Sequence, residues 1–274
     1  MNPAERLFDV RGSRVVVTGA ASGLGQAMAE VMADSGARVT LADLDAGRLE
    51  EVTGELATRG GEVRSHRLDV TDSEGVRRLI DDAVEAYGGL DVAFANAGIS
   101  LEPGFSDPAG GLASIDREAW DRVLDVNLTG AVFTMGAAAE AMKRQGSGKI
   151  VVTASNAGLK VEPLVGYSYA ATKAAVIHVV RQAAVELAPH GVNVNAIAPG
   201  PFRTRIGGGR LPDERVEQLW ANLVPLGRMA ETDELKGLAL MLASPAASFI
   251  TGAVVLIDGA AMPSPYDEEV KLGE

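Results

Sequence analysis

Short runs rich in Val, Ile and Ala alternate with longer Ala-rich stretches from one end of this 274-residue chain to the other. No other feature constrains the fold as much, because strands that are each followed by a helix pair in parallel through right-handed crossovers. The strand candidates are 14–18, 38–42, 62–68, 91–95, 149–154, 192–197 and 254–257. Their β-branched and small apolar composition suits strands covered on both faces. The helix candidates are 24–35, 46–58, 73–87, 116–144, 166–189 and 231–243, with Asp45, Thr71 or Asp72, and Asp116 as N-terminal caps. The expectation is an α/β fold, one doubly wound parallel sheet of about seven strands flanked by helices, formed by residues 1–274 as a single unit. No internal repeat or low-complexity linker interrupts it.

Three segments break the rhythm. Residues 100–114 hold two prolines and three glycines directly after a strand candidate, and 201–212 hold Gly207-Gly208-Gly209 between arginines. Both follow strand carboxyl ends, where open α/β sheets bind ligands, and the second is expected to act as a mobile substrate lid near 201–222. Residues 264–274 form an acidic tail.

Charge and composition narrow the function. Asp and Glu number 37 against 25 Lys and Arg, a formal net charge of −12. So acidic a surface repels nucleic acid and anionic membranes. The absence of cysteine excludes disulfides, thiolate catalysis and cysteine-ligated metals. His66, His178 and His190 are scattered without metal-ligand spacing, so no metal is expected. The polar start and the lack of an apolar run near ~18 residues predict a cytoplasmic protein.

The first strand candidate runs into Thr18-Gly19-Ala20-Ala21-Ser22-Gly23-Leu24-Gly25. A glycine-rich turn into a helix lets backbone N–H groups approach a pyrophosphate, although such turns also serve as plain connectors. Asp43 closes the second strand candidate, eighteen residues beyond Gly25. It suits the hydrogen-bonding of an adenosine ribose and the repulsion of a 2′-phosphate, or alternatively a helix cap. Tyr169 and Lys173 stand at i and i+4, on one helical face, with Ser155 closing the fifth strand candidate and Asn127 upstream. A neighbouring ammonium favours the phenolate of a tyrosine.

Together these residues resemble the short-chain dehydrogenase/reductase family over nearly the whole chain, which implies a Rossmann-type sheet. Gly19, Ser22, Gly23, Leu24 and Gly25 match its cofactor turn, Asp69-Val70 its adenine-contacting pair, and Asn96-Ala97-Gly98 the end of its fourth strand. Asp43 and Leu44 fall at its ribose position. Pro199, Gly200, Phe202 and Thr204 fall in the segment that contacts the nicotinamide. Asn127, Ser155, Tyr169 and Lys173 match its catalytic set. Two departures are Ala95, where asparagine is common, and Gly259-Ala260 in place of Gly-Gly.

The resemblance implies an NAD(H)-dependent oxidoreductase that interconverts a secondary alcohol and its ketone. Tyr169 would exchange the alcohol proton, and Ser155 would hold the substrate oxygen. Lys173 would bind the nicotinamide ribose, and Asn127 would hold a relay water through its backbone. Asp43, with no lysine or arginine within residues 20–22, favours NAD over NADP. The alternatives are an NADPH-dependent carbonyl or 3-ketoacyl reductase and a non-catalytic dinucleotide-binding regulator. The resemblance also implies a homotetramer. The substrate stays open among sugars, polyols, hydroxy acids and cyclic or aromatic alcohols.

Several residues carry two readings. Arg203, Arg205 and Arg210 suit either an anionic substrate or a solvated face. Asn156, Lys160 and Glu162 suit either substrate contact or a solvated loop, and Tyr167 either pocket lining or surface. His178 and His190 are read as helix-face residues, and Trp120 and Trp220 as packing.

Overall fold

The computed structural model describes residues 2–206 and 213–262. Gly207-Gly208-Gly209 and Arg210 of the expected lid, and the acidic tail, lie outside the described residues. The strands are β1 (Arg14–Thr18), β2 (Arg38–Asp43), β3 (Glu62–Arg67), β4 (Val92–Ala95), β5 (Gly148–Thr153), β6 (Val192–Pro199) and β7 (Val254–Ile257). The α-helices are α1 (Pro3–Leu7), α2 (Gly23–Asp34), α3 (Ala46–Thr58), α4 (Ser73–Tyr87), α5 (Arg117–Leu124), α6 (Ala131–Gln145), α7 (Tyr167–Leu187), α8 (Glu214–Asn222) and α9 (Lys236–Ala243). All seven strands lie parallel in one sheet, in the order β3-β2-β1-β4-β5-β6-β7. This is a Rossmann-type α/β fold.

The period-2 geometry of a strand explains why the valine runs are continuous. Val15 and Val17 pack with Met28, Met32, Leu49, Val52 and Leu242, beneath α2, α3 and α9. Val16, between them, packs on the other face with Leu79, Met135, Met142, Val176 and Val180 from α4, α6 and α7. Every residue of β1 past Arg14 is buried, because helices cover both faces.

β3 departs from that expectation. Its Glu62, Arg64, Ser65 and Arg67 are exposed, Val63 and His66 are half-buried, and no position is fully buried. It forms the sheet edge beside β2, where Arg38 pairs with Glu62 at 3.0 Å. Charged side chains on an edge discourage pairing with another chain.

The expected helix 116–144 is interrupted: residues Asp125–Gly130 wind as a π-helix between α5 and α6. The cause is Asn127, whose side chain accepts from the Ile99 N–H and donates to the Ile99 carbonyl, both at 2.8 Å. Gly130 also lies against Val70, where a Cβ would come within 2.7 Å of a methyl group. Local expansion of the helix accommodates these contacts, and such π segments concentrate at functional sites. Likewise, the expected helix 231–243 begins as a 3-10 turn, Thr232–Leu235, before α9. Two helices went unanticipated, the short α1 and the α8 inside the expected lid.

The order turns at β1. From there the chain runs outward to β2 and β3, then returns across β1 to β4. Crossovers on opposite sides of β1 and β4 leave a crevice at their carboxyl ends, the ligand position of open α/β sheets.

Candidate active site

A cleft of about 1020 Å³ opens along those carboxyl ends. One half is built on the glycine turn. Gly19 adopts φ +68° and packs against Ala97, a conformation and proximity that exclude a side chain. A Cβ on Gly25 would lie 2.0 Å from the Gly19 carbonyl oxygen and 2.4 Å from Asn96 Nδ2. Ser22 is the N-cap of α2 without a side-chain hydrogen bond, so the cap leaves the first-turn N–H groups unclaimed. Such an end attracts a phosphate.

Other groups hold the turn in place. The Asp43 carboxylate accepts from the Ala21 N–H at 3.0 Å and from the Asp45 N–H at 3.1 Å. Asp45, not Asp43, caps α3, so the helix-cap alternative for Asp43 is corrected. Asn96 donates through Nδ2 to the carbonyls of Thr18 and Gly19, at 3.0 and 3.3 Å, and accepts from Thr153 Oγ1 at 2.9 Å. One side chain thereby straps the ends of β1, β4 and β5 together. Asp69 accepts from Thr71 and lies 3.5 Å from Arg122.

The other half begins where β5 ends. Ser155 is buried and accepts from the Ala157 N–H at 3.1 Å, which fixes its hydroxyl at the start of a 3-10 turn. α7 presents Tyr169 and Lys173 on the same wall, with Lys173 Nζ 5.5 Å from the centre of the tyrosine ring. Lys173 is 2% exposed and donates to the Thr153 carbonyl at 2.7 Å. Burial lowers its pKa to about 8. Burial also raises the Tyr169 phenol, against a smaller downward pull from the Ser155 hydroxyl. Desolvation of the phenolate is the larger of these two effects. A phenol held in its acid form beside a serine hydroxyl can donate a proton to a carbonyl oxygen, or accept one from an alcohol as pH rises.

A family model described as enoyl-(acyl carrier protein) reductase matches residues 19–260. A crystal structure of a short-chain type dehydrogenase/reductase from Mycobacterium marinum superposes with a TM-score of 0.87 at 38% identity, covering 94% of this chain and 98% of that one. The chain belongs to the short-chain dehydrogenase/reductase family. Curated relatives include cis-4-hydroxycyclohexanecarboxylate dehydrogenase of Sinomonas cyclohexanicum, 40% identical over 89% of this chain and 94% of the relative. Sorbitol dehydrogenase of Cereibacter sphaeroides is 36% identical over 90% and 96%. The chain is an oxidoreductase of the kind that acts on secondary alcohols and binds a nicotinamide dinucleotide.

Of the residues expected from the short-chain dehydrogenase/reductase pattern, all but Gly25 and Asn127 line the cleft. Gly25 acts by being small, and the Asn127 side chain is spent on Ile99, leaving only its backbone for a relay. The cleft also holds residues that sequence reasoning passed over: Glu102, which accepts from Ser168 Oγ, and Asp213 and Val216 from α8 and its cap. The sequence signal for α8 is Asp213 ahead of an amphipathic run, inside the segment expected to be a mobile lid. Trp220, expected to pack, lines the cleft, whereas Tyr167 sits at the surface against Phe105. Arg203 pairs with Glu217 at 2.8 Å and Glu231 at 3.2 Å, while Arg205 reaches the cleft rim. Among the described residues no cluster of ligands for a metal exists, and no helix is long and apolar enough to cross a membrane.

Proposed function

We propose that the chain is an NAD(H)-dependent dehydrogenase that interconverts a secondary alcohol and its ketone. The observation that carries this reading is the convergence of Ser155, Tyr169 and Lys173 on one wall of a cleft whose far half is a glycine turn at a helix N-terminus. A bound nicotinamide dinucleotide would supply hydride acceptance or donation. The turn at Gly19–Gly25 fits its pyrophosphate, because the α2 N-terminus carries no capping side chain and the glycines admit close backbone approach. Asp43 would bind the adenosine ribose, and Lys173 Nζ the nicotinamide ribose.

Within the substrate half, Ser155 Oγ would hold the reacting oxygen and stabilise negative charge developing there. Tyr169 Oη would take the alcohol proton in oxidation and return it in reduction. Lys173, already engaged with the Thr153 carbonyl, would support the phenolate electrostatically. Asn127 would keep the backbone after Gly98 in register with the π segment. The curated relatives support alcohols as the substrate class: one is named for a hydroxycyclohexanecarboxylate and another for a polyol. Assembly as a homotetramer is part of the same proposal and rests on the family resemblance.

The test is a coenzyme-reduction screen across secondary alcohols, sugars, polyols and hydroxy acids, with NAD⁺ and NADP⁺ side by side. The expected result is turnover with NAD⁺ at a kcat/KM about tenfold or more above NADP⁺, some 1.4 kcal/mol of discrimination. Preference for NADP⁺ overturns the assignment of Asp43, and failure to oxidise any alcohol overturns the alcohol reading.

A further inference from the structure

We propose that Glu102 is a positioning residue for Tyr169: its carboxylate, on the loop after β4, pins the first turn of α7 through Ser168. The inference rests on the alcohol-dehydrogenase reading above and adds a residue to its machinery. Tyr169 is only the third residue of α7, so the reacting phenol stands in the turn where helices fray. Lys173 stands one turn deeper and is held separately, on the Thr153 carbonyl. The start of α7 has little of its own to hold it. Its N-cap is Gly166, which makes no side-chain cap bond, and its first turn carries no acidic residue.

The loop after β4 supplies what the helix lacks. The Glu102 carboxylate accepts from Ser168 Oγ, and Ser168 is 0% exposed. A carboxylate bonded there also sets a negative charge against the positive end of the helix dipole. The close approach explains Gly166, because a Cβ on it would lie 2.8 Å from Glu102 Cβ. Around this bond the loop grips the chain that leads into Tyr169. Pro103 bridges to Val165 as an antiparallel pair, and the Phe105 ring centre lies 6.4 Å from that of Tyr167. Ser106 donates to the Pro163 carbonyl from its N–H at 3.2 Å and from its Oγ at 2.9 Å. The loop is itself fixed at its start, where Asn127 holds both backbone groups of Ile99. An otherwise open helix start is thereby tied to the end of β4. Misplacing a reacting group by about 1 Å costs on the order of 10²-fold in rate, so a tether on the residue beside Tyr169 bears on turnover rather than on binding.

The experiment compares wild type with Glu102→Ala, Ser168→Ala, the double variant and Glu102→Gln. Steady-state kinetics use NAD⁺ and the alcohol that the screen above shows to be turned over fastest, and amide hydrogen exchange follows the peptide spanning residues 166–172. Alanine is the strongest helix former, so Ser168→Ala removes the bond without weakening the helix by propensity. Ser168 is too deeply buried to touch substrate, so its kinetic effect must pass through the tether. Each single alanine variant should lose about 10–100-fold in kcat. Both KM values should stay within about threefold, and NADH affinity within about twofold. The double variant should lose no more than about threefold beyond the worse single variant, as two ends of one bond do. Glu102→Gln keeps an acceptor for Ser168 and should regain most of the loss. Exchange at 166–172 should quicken about tenfold in the alanine variants. A rise in KM in Glu102→Ala with kcat held, and no effect of Ser168→Ala, would make Glu102 a substrate contact and overturn the positioning role. Additive losses, or unchanged exchange in both single variants, overturn it as well. If the wild type oxidises no alcohol, the reading beneath falls, and the exchange measurement still decides whether Glu102 holds the start of α7.

Discussion

The two halves of the cleft are built on opposite rules. On the glycine-turn side, polar groups are committed within the protein: Asp43 holds Ala21 and Asp45, Asn96 holds Thr18, Gly19 and Thr153, and Thr18 Oγ1 accepts from the Asn96 N–H at 3.1 Å. On the other side, Asn156 and Glu162 each keep an unpaired atom. The first half is a rigid backbone template, suited to a ligand that never changes. The second is lined largely by apolar side chains, Leu164, Val165, Ile206, Trp220 and Met229 among them, which suits the carbon skeleton of a substrate. Tyr169 and Lys173 stand where the halves meet.

Removing the Tyr169 hydroxyl attacks that junction and should have the largest effect. Tyr169→Phe keeps the ring and its packing, so NADH affinity measured by fluorescence titration should stay within about twofold. Turnover should fall about 10²–10⁴-fold, the range for loss of a positioned acid–base group. Near-normal turnover would show that the proton leaves by another route.

Lys173 should reveal the cost of its burial through pH. Its pKa of about 8 in the folded protein, against an ordinary 10.5, corresponds to roughly 3 kcal/mol disfavouring the charged folded form. That cost is full below pH 8, where the lysine is charged in both states. Between pH 8 and 10.5 the folded form is neutral while the unfolded form is still charged, so stability should rise with pH. Urea unfolding from pH 7 to 10 should show the rise in wild type. Lys173→Met, expected to be inactive as an enzyme, should lack that component. The raised Tyr169 phenol acts oppositely, but only above pH 10, where the unfolded tyrosine ionises first. Equal pH slopes in both proteins would place Lys173 in a wetter site than its 2% exposure indicates.

The fold was legible because the backbone constraint and the apolar pattern agreed. Val15, Val16 and Val17 must serve two faces, and only a sheet covered on both sides allows it. The glycine turn was legible for a related reason, since Gly19 and Gly25 mark backbone contacts that no side chain permits. What escaped reading depended on contacts distant in sequence. Nothing around Asn127 announces a π segment, because its cause is the backbone of Ile99, 28 residues earlier. Asn156 and Glu162 could equally have been solvated loop, and only their burial separates the two readings. Arg203 looked available for an anion until α8 supplied Glu217.

Asp43 tests whether the first half is as fixed as its hydrogen bonds imply. Asp43→Ala should reduce the preference for NAD⁺ over NADP⁺ about 10–100-fold, by removing both an acceptor for the ribose and a charge opposing a 2′-phosphate. Loss of its bonds to Ala21 and Asp45 should also loosen the turn. Asp43→Asn, which keeps an acceptor and removes the charge, separates the two contributions in steady-state kinetics with both coenzymes. If Asp43→Asn matches wild type while Asp43→Ala does not, the carboxylate serves the turn rather than cofactor choice.

The smallest effect should come from Arg203, and it sharpens the boundary of the second half. Its side chain is 45% exposed, and its guanidinium is shared between Glu217 on α8 and Glu231 ahead of the Thr232 turn. Exposed ion pairs contribute about 0–1 kcal/mol, so Arg203→Ala should shift the urea midpoint slightly. KM should change by no more than about twofold for acidic and neutral substrates alike. Arg205→Ala is the companion, because Arg205 lines the cleft and Arg203 does not. A selective rise in KM for acidic substrates in Arg203→Ala would mean that its carboxylate partners release it to bind substrate. The same rise confined to Arg205→Ala would put a cationic contact for the substrate at the rim of the cleft.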